Sequence, residues 1–251
     1  MTPTPLILGG TTEATALARC MAEAGINGTV SMAGRVKTPA AQALPLRVGG
    51  FGGVAGLVAY LRDNAVSHVV DATHPFAAQM STHAVEACAE TGVSLLALTR
   101  APWLAQPGDR WQHVPDIAGA VAVLDRLATR VFLAVGRMHL ADFAVNSQHF
   151  YLLRLVDVPE GPPVFPDQHV IVDRGPFTVA GDLGLLRDHR IELVVSKNAG
   201  GTGAQAKIAA ARQLGLPVLM IDRPVLPARR ETHCVQEVMR WLSHAGTDLG
   251  V

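Results

Sequence analysis

Short apolar runs rich in β-branched residues alternate with longer stretches of helical periodicity along almost the whole chain, a pattern that points to βαβ units and parallel sheets. Runs at 5–9, 29–33, 46–48, 68–72, 94–99 and 111–114 read as strands, with helices at 13–24, 54–64 and 76–91 between them. A helix at 116–128 leads into a strand at 130–135, where the alternation restarts. Strands at 150–155, 170–172, 191–196 and 217–221 follow, covered by helices at 178–189, 203–214 and 232–244. The stretch 159–166 carries Gly161, Pro162 and Pro163 and reads as a surface connection. A chain of 251 residues is long for one core and comfortable for two. The expected fold is therefore α/β: two lobes, each a mainly parallel sheet flanked by helices, divided as 1–128 and 129–251, with a cleft between them.

Charge and composition narrow the function classes. Lys plus Arg and Asp plus Glu number 21 each, so no global field draws the chain to nucleic acid or to an anionic membrane. No uncharged apolar run approaches the roughly 20 residues that cross a bilayer. The start, Met1-Thr-Pro-Thr-Pro, has no basic region and meets glycines soon after Leu6, unlike a signal peptide, so a cytoplasmic location is expected. Cys20, Cys88 and Cys234 lie far apart without CxxC spacing and read as small buried hydrophobes. The ten histidines form neither HxH nor HExxH, so no metal site is expected.

The first strand runs through Leu6-Ile-Leu into Gly9-Gly10-Thr11-Thr12-Glu13-Ala14 and then a helix. Such a turn aims backbone N–H groups and the positive helix end at a phosphate, and glycine lets the anion come close. It departs from GxGxxG, with Thr11 at the second glycine position and Ala14 at the third; a plain strand-turn-helix is the competing reading. The second strand ends in Ser31-Met32-Ala33-Gly34-Arg35, without the acid that NAD sites present to the ribose 2′-hydroxyl. Ser31, Arg35 and Lys37 suit a 2′-phosphate instead, which favours NADP over NAD, against an ordinary surface arginine. Arg47-Val48-Gly49-Gly50-Phe51-Gly52-Gly53 lets backbone approach a ligand or forms a flexible loop. Asp71-Ala72-Thr73-His74-Pro75-Phe76-Ala77 ends a buried strand, placing Thr73, His74 and Phe76 at the cleft; His74 as a helix-cap residue is the alternative.

In the second half, Ser196-Lys197-Asn198-Ala199-Gly200-Gly201-Thr202-Gly203 repeats the strand, glycine loop and helix plan with a lysine added, a second anion cradle. Gly136-Arg137-Met138-His139, Arg154 and Arg174-Gly175-Pro176-Phe177 add cations near strand ends that suit a polycarboxylate substrate. Each alone is more often a solvated charge.

Taken in order, Gly-Gly-Thr-Thr-Glu-Ala at 9–14, Ser-Met-Ala-Gly-Arg at 31–35, Arg-Val-Gly-Gly-Phe-Gly-Gly at 47–53 and Asp-Ala-Thr-His-Pro-Phe-Ala at 71–77 resemble the precorrin-6A reductase family of cobalamin biosynthesis. Gly136-Arg137, Arg-Gly-Pro-Phe at 174–177, Lys-Asn-Ala-Gly-Gly at 197–201, Lys-Ile-Ala-Ala-Ala-Arg at 207–212 and the 217–224 segment extend the resemblance over nearly the whole chain. It implies two Rossmann-like lobes and NADPH-dependent reduction of one ring double bond of precorrin-6A, giving precorrin-6B. The cofactor would lie on Gly9, Gly10, Thr11, Thr12 and Glu13 at the pyrophosphate and on Ser31 and Arg35 at the adenosine ribose. Gly50 and Phe51 would line it, with Thr73, His74, Pro75 and Phe76 near the nicotinamide. Arg137, Arg154, Arg174, Lys197, Asn198, Gly200, Gly201 and Thr202 would grip the tetrapyrrole's carboxylates, and neighbouring pathway enzymes would be the chain's partners.

Hydride delivery to an electron-poor carbon conjugated with a ring nitrogen needs little acid assistance, so orientation is expected to dominate. His74 and His139 are candidate proton sources and Lys197 a further catalytic candidate. Competing classes stay in view. A cobalt-precorrin-6A reductase would look the same in sequence. A short-chain dehydrogenase needs YxxxK, but Tyr60 and Tyr151 are followed at that spacing by Asn64 and Leu155. A two-lobed glycosyltransferase would bind a sugar nucleotide, and a non-catalytic sensor would bind NADPH without oxidising it.

Overall fold

The computed structural model describes residues 3–34, 41–159 and 161–244. The chain divides into two compact units, Met1–Arg100 with Val225–Val251, and Ala101–Pro224. Among the described residues the first unit opens with β1 (Pro5–Leu8), α1 (Thr12–Glu23), β2 (Thr29–Met32), β3 (Leu46–Val48), α2 (Val54–Asp63), β4 (His68–Asp71), α3 (Ala78–Thr91) and β5 (Ser94–Leu98). The second unit contains β6 (Arg110–Val114), α4 (Ile117–Val123), β7 (Arg130–Ala134), 3₁₀ turns at Arg137–His139 and Ala141–Phe143, and β8 (Phe150–Leu155). It continues with β9 (Gln168–Val172), α5 (Val179–Asp188), β10 (Leu193–Lys197), α6 (Ala206–Leu214) and β11 (Pro217–Ile221). The chain then returns to the first unit with β12 (Glu231–Thr232) and α7 (Val235–His244).

Each unit is built on a six-stranded sheet, ordered β3-β2-β1-β4-β5-β12 in the first and β9-β8-β7-β10-β11-β6 in the second. Every strand pairing among the described residues is parallel. Both orders are doubly wound: the chain steps outward for two strands, then crosses back to the other side of its starting strand. The reversal falls between β1 and β4 in one unit and between β7 and β10 in the other.

The single cut expected at 128/129 differs from this division. β6 follows β5 in sequence yet pairs with β11, through Val114↔Ile221, so residues 101–128 belong with the second unit. Conversely β12 pairs with β5, through Thr232↔Leu98, and carries the end of the chain back to the first. The sixth strand of each sheet is thus supplied from beyond its own run of five. The helix expected over 116–128 stops at Val123, because Gln148 and His149 take up the following carbonyls: Gln148 Nε2 donates to Arg126 O at 2.9 Å, and His149 Nε2 lies 2.8 Å from Leu124 O.

Central strands are covered on both faces, and Pro5–Leu8 and His68–Asp71 are buried at every position, with the polar His68 and Asp71 at the two ends of an apolar Val69–Val70. On one face of the first sheet, Ala14, Leu17, Ala18 and Met21 of α1 pack with Val238 and Leu242 of α7 against Ile7, Val30 and Val70. On the other, Leu57 and Leu61 of α2 and Ala84, Ala87 and Cys88 of α3 cover Leu6, Leu8 and Val69. Cys88 is buried and its thiol is pushed up to about 12, first by burial and then by the Asp71 carboxylate. In the second unit, Phe132, Leu152, Val194 and Val218 form the sheet side of a core that includes Leu186, Ile208 and Ala211. No helix of the described residues is long and apolar enough to cross a membrane.

Candidate functional site

The reversal between β1 and β4 places the first glycine turn beside the exit of β4, because Leu8 registers with Asp71 on one side and Ser31 on the other. Gly9 N donates to Ser31 O at 2.8 Å, and a Cβ on Gly9 would lie 3.0 Å from Val30 Cγ1. Gly10 holds φ +110°, a conformation L side chains rarely adopt. Thr11 caps α1, its Oγ1 accepting from Ala14 N at 3.2 Å while donating to Ala72 O at 2.7 Å. That second bond ties the glycine turn to the loop after β4. Among the described residues the amides of Gly10, Thr11 and Thr12 have no hydrogen-bond partner. Three unmet donors at a helix N-terminus, next to a glycine open to approach, fit a pyrophosphate.

Glu13 sits in the first turn of α1 and would repel such an anion, but Arg100 meets it. Arg100 Nε donates to Glu13 Oε1 at 2.7 Å, while Nη2 reaches Glu13 Oε2 and donates to Thr12 Oγ1 at 3.1 Å. Burial raises the Glu13 carboxyl, yet the Arg100 hydrogen bonds and charge outweigh it and hold the group below its usual value. Arg100 stands two residues past the end of β5 and 87 positions from Glu13, too far for any local pattern to have assigned it to this turn.

Arg35 and Lys37 lie outside the described residues. Arg47 occupies that end of the sheet: its Nη1 donates to Ser31 Oγ at 3.2 Å and to Gly49 O at 2.6 Å, and its Nη2 to Gly50 O at 2.9 Å. Its guanidinium also stacks over Phe51, 3.9 Å from the ring centroid. Arg47 thereby shapes the glycine loop and joins it to Ser31, a role that the strand-end position alone did not reveal. After β4, Thr73 N and Oγ1 donate to Asp71 Oδ1 at 3.1 and 2.7 Å, and His74 Nδ1 accepts from Phe76 N at 3.2 Å. Pro75 completes that turn, and α3 begins at Ala78, two residues later than the periodicity suggests.

In the second unit Lys197 ends β10, half-buried, and Asn198 is buried. The Asn198 side chain is occupied by protein: Oδ1 accepts from Trp103 N at 2.8 Å and Nδ2 donates to Trp103 O at 3.0 Å. Gly201 O accepts from Trp103 Nε1 at 2.7 Å. A Cβ on Gly200 would lie 2.2 Å from Ala101 O and 2.4 Å from Arg223 Nη2, so this glycine serves close packing. Thr202 is exposed, and α6 starts only at Ala206 without a side-chain cap, which distances this loop from the first glycine turn in kind.

Arg154 is not displayed as a free cation: Nη1 and Nη2 donate to Asp182 Oδ1 and Oδ2 at 2.5 and 3.3 Å, and the guanidinium lies 3.5 Å from the Phe177 ring centroid. Arg174 is half exposed and pairs with Asp157 at 2.8 Å. Arg137 is exposed on the 3₁₀ turn, and His139 Nδ1 lies 3.0 Å from Asp142 Oδ2.

Lys207, on α6, is buried with its ammonium donating to Ala204 O at 2.7 Å. Burial first, then the Arg154 charge, push it down to about 7, with Asp182 opposing. The unfolded chain keeps the ordinary value of 10.5, so between about 7 and 10.5 the unfolded state holds a proton that the folded state has released. Stability gains from this group as pH rises through that window. Lys207→Met is expected to raise the thermal midpoint at pH 7 and to flatten its rise toward pH 10, measured by circular dichroism.

Comparison with known proteins matches residues 5–243 to the family model described as precorrin-6x reductase CbiJ/CobK. A precorrin-6A reductase of Rhodobacter capsulatus is 60% identical over 247 residues, covering 98% of each chain. A precorrin-6A reductase of Rhodococcus erythropolis is 43% identical over 96% of this chain and 97% of its own, and a cobalt-precorrin-6A reductase of Salmonella typhimurium 28% identical over 96% and 97%. The solved structure titled CobK precorrin-6A reductase superposes with a TM-score of 0.93 at 60% identity, over 97% of both chains. The chain belongs to the precorrin-6x reductase family, and its two doubly wound sheets are that family's fold.

Proposed function

We propose that this protein reduces one ring double bond of precorrin-6A to give precorrin-6B, with NADPH as hydride donor, in cobalamin biosynthesis. The observation that carries the reading is 60% identity to a precorrin-6A reductase over 98% of both chains. The relative named for the cobalt-bearing substrate stands at 28%. Within the first unit, the unmet amides of Gly10, Thr11 and Thr12 suit the pyrophosphate, with Gly9 and Gly10 allowing its approach. The Arg100–Glu13 pair removes the local negative charge. Ser31 and Arg47, with Arg35, suit a 2′-phosphate, since no carboxylate stands between 31 and 35 to favour a bare 2′-hydroxyl. Thr73, His74, Pro75 and Phe76 serve the nicotinamide end, and Gly50 and Phe51 flank the cofactor.

When bound, NADPH supplies a hydride, and the protein's own part is to orient the acceptor, exclude water and provide a proton. His74 suits proton delivery because its Nδ1 accepts from Phe76 N, which leaves the neutral ring's proton on Nε2. His139 and Lys197 are the alternative donors. Arg137, Arg174, Lys197 and Thr202 suit the macrocycle's carboxylates, while Arg154, Asn198, Gly200 and Gly201 support that surface through their packing. A cytoplasmic location and hand-over with neighbouring enzymes of the pathway belong to the same reading.

The test follows nicotinamide absorbance with purified protein and precorrin-6A, running NADPH and NADH in parallel. Oxidation that is much faster with NADPH supports the reading. Oxidation of neither, with turnover restored by the cobalt-bearing macrocycle, moves the assignment to that substrate.

A further inference from the structure

The carboxylate of Asp71, at the end of β4, is buried and collects four donors. Thr73 N and Thr73 Oγ1 reach Oδ1 at 3.1 and 2.7 Å, Ser81 Oγ on α3 reaches Oδ2 at 2.6 Å, and Arg229 Nη1 also reaches Oδ2. Arg229 is brought by the returning segment, 158 positions away, and its Nε donates to Glu231 Oε1 at 3.0 Å beside β12. Its side chain is 7% exposed and that of Asp71 1%, so each ion compensates the other away from water. A hydroxyl has one proton to donate, and an ionised carboxylate can only accept. Thr73 and Ser81 therefore both direct their protons at Asp71. The 3.4 Å contact between their oxygens carries none.

What remains of the Thr73 hydroxyl is a pair of lone pairs. Thr73 is half-buried and follows Ala72, whose carbonyl is bonded to the cap of the glycine turn, so this acceptor stands beside the place where a phosphate fits. We propose that the Asp71–Arg229 pair fixes Thr73 as a pure hydrogen-bond acceptor, which selects the N–H of a nicotinamide carboxamide and sets how the ring lies. This rests on the cofactor reading above. Asp71 and Arg229 are positioning residues in it, and Thr73 is the group that touches the cofactor. With the carboxylate in place, a ligand group that only accepts meets lone pairs and is turned away; with Asp71 changed to asparagine, whose amide also donates, the hydroxyl can turn and tolerates either.

The experiment compares the dissociation constant, from the fluorescence of the bound reduced nucleotide, together with kcat/KM, for NADPH and for its reduced 3-acetylpyridine analogue, which carries a methyl ketone and no N–H. Ratios of variant to wild type cancel the intrinsic difference in hydride-donor strength between the nucleotides. Thr73→Val is expected to lower the NADPH kcat/KM about fivefold to tenfold, the size of one hydrogen bond, while leaving the analogue within about twofold. Thr73→Ser, which keeps the hydroxyl, restores the NADPH value. Asp71→Asn, whose amide donates as well as accepts, frees the Thr73 hydroxyl to turn and narrows the preference for NADPH over the analogue. Equal loss with both nucleotides in Thr73→Val would show a merely structural threonine and overturn the proposal. Wild-type enzyme that binds neither nucleotide, and oxidises neither with precorrin-6A or with its cobalt form, would overturn the cofactor reading itself, and this proposal with it.

Discussion

Replacing Asp182 by leucine is expected to destabilise the fold by about 3–5 kcal/mol, the cost of leaving a buried charge without its partner. Asp182 is 3% exposed and Arg154 9%. The carboxylate holds both terminal nitrogens of the guanidinium and also opposes the depression of Lys207. Without it, Arg154 becomes a buried cation with no anion to pair with, and Lys207 loses the charge that opposes its depression. Leucine is no smaller than aspartate, so no cavity opens and the loss is electrostatic. The double variant Asp182→Leu with Arg154→Met removes the stranded charge and recovers most of the loss, because an apolar pair can replace a buried ion pair at little cost. Urea unfolding of the three proteins reads the effect directly. A single variant that loses under 1 kcal/mol would mean that the pair is solvated.

The second large effect is on cofactor use. Gly10→Val is expected to raise the KM for NADPH about 100-fold, the scale of a loss caused by misplacing a bound group by about 1 Å. A Cβ on Gly10 meets no protein atom within 4 Å, so the core is not struck. The cost has two parts. At φ +110° a branched side chain stores roughly 1–3 kcal/mol of strain, and its methyl groups occupy the open side from which a phosphate approaches the unmet amides. Circular dichroism separates the two: a folded variant with weak NADPH binding is expected, and a folded variant with unchanged KM would remove the glycine turn from the cofactor site.

How much of this was legible in the sequence depends on where the interactions are local. The alternating elements were, because central parallel strands such as Leu6-Ile-Leu and Val69-Val70 must be apolar without interruption and their helices must keep one face apolar. So was the glycine turn, since strand end, glycines and helix start lie within a few residues, whereas the cap that Thr11 gives α1 is seen only in the fold. The division between the units was not. β6 looks like a sixth strand of the first sheet because it follows β5, and only its pairing with β11 shows otherwise. β12 has two residues, Glu231 and Thr232, with no apolar run to announce it, yet it closes the edge of the first sheet.

The cations show the same limit. Arg154 looked available for a carboxylate, but Asp182 lies 28 positions away and takes both of its nitrogens. Arg100 acts on the glycine turn, Arg229 on Asp71 and Arg47 on Ser31 through contacts that only the tertiary fold creates. Sequence shows which residues are charged; pairing across the sheet decides which charges are left to meet a ligand.

Hydride transfer from NADPH to precorrin-6A, as proposed, leaves a label that can be followed. The most direct test supplies NADPH deuterated at nicotinamide C4, separately in each of its two prochiral positions, and examines the macrocycle product by mass spectrometry and NMR. One of the two labelled cofactors is predicted to place a single deuterium on one ring carbon of precorrin-6B, with the other giving unlabelled product. A product that carries no deuterium from either would contradict the account.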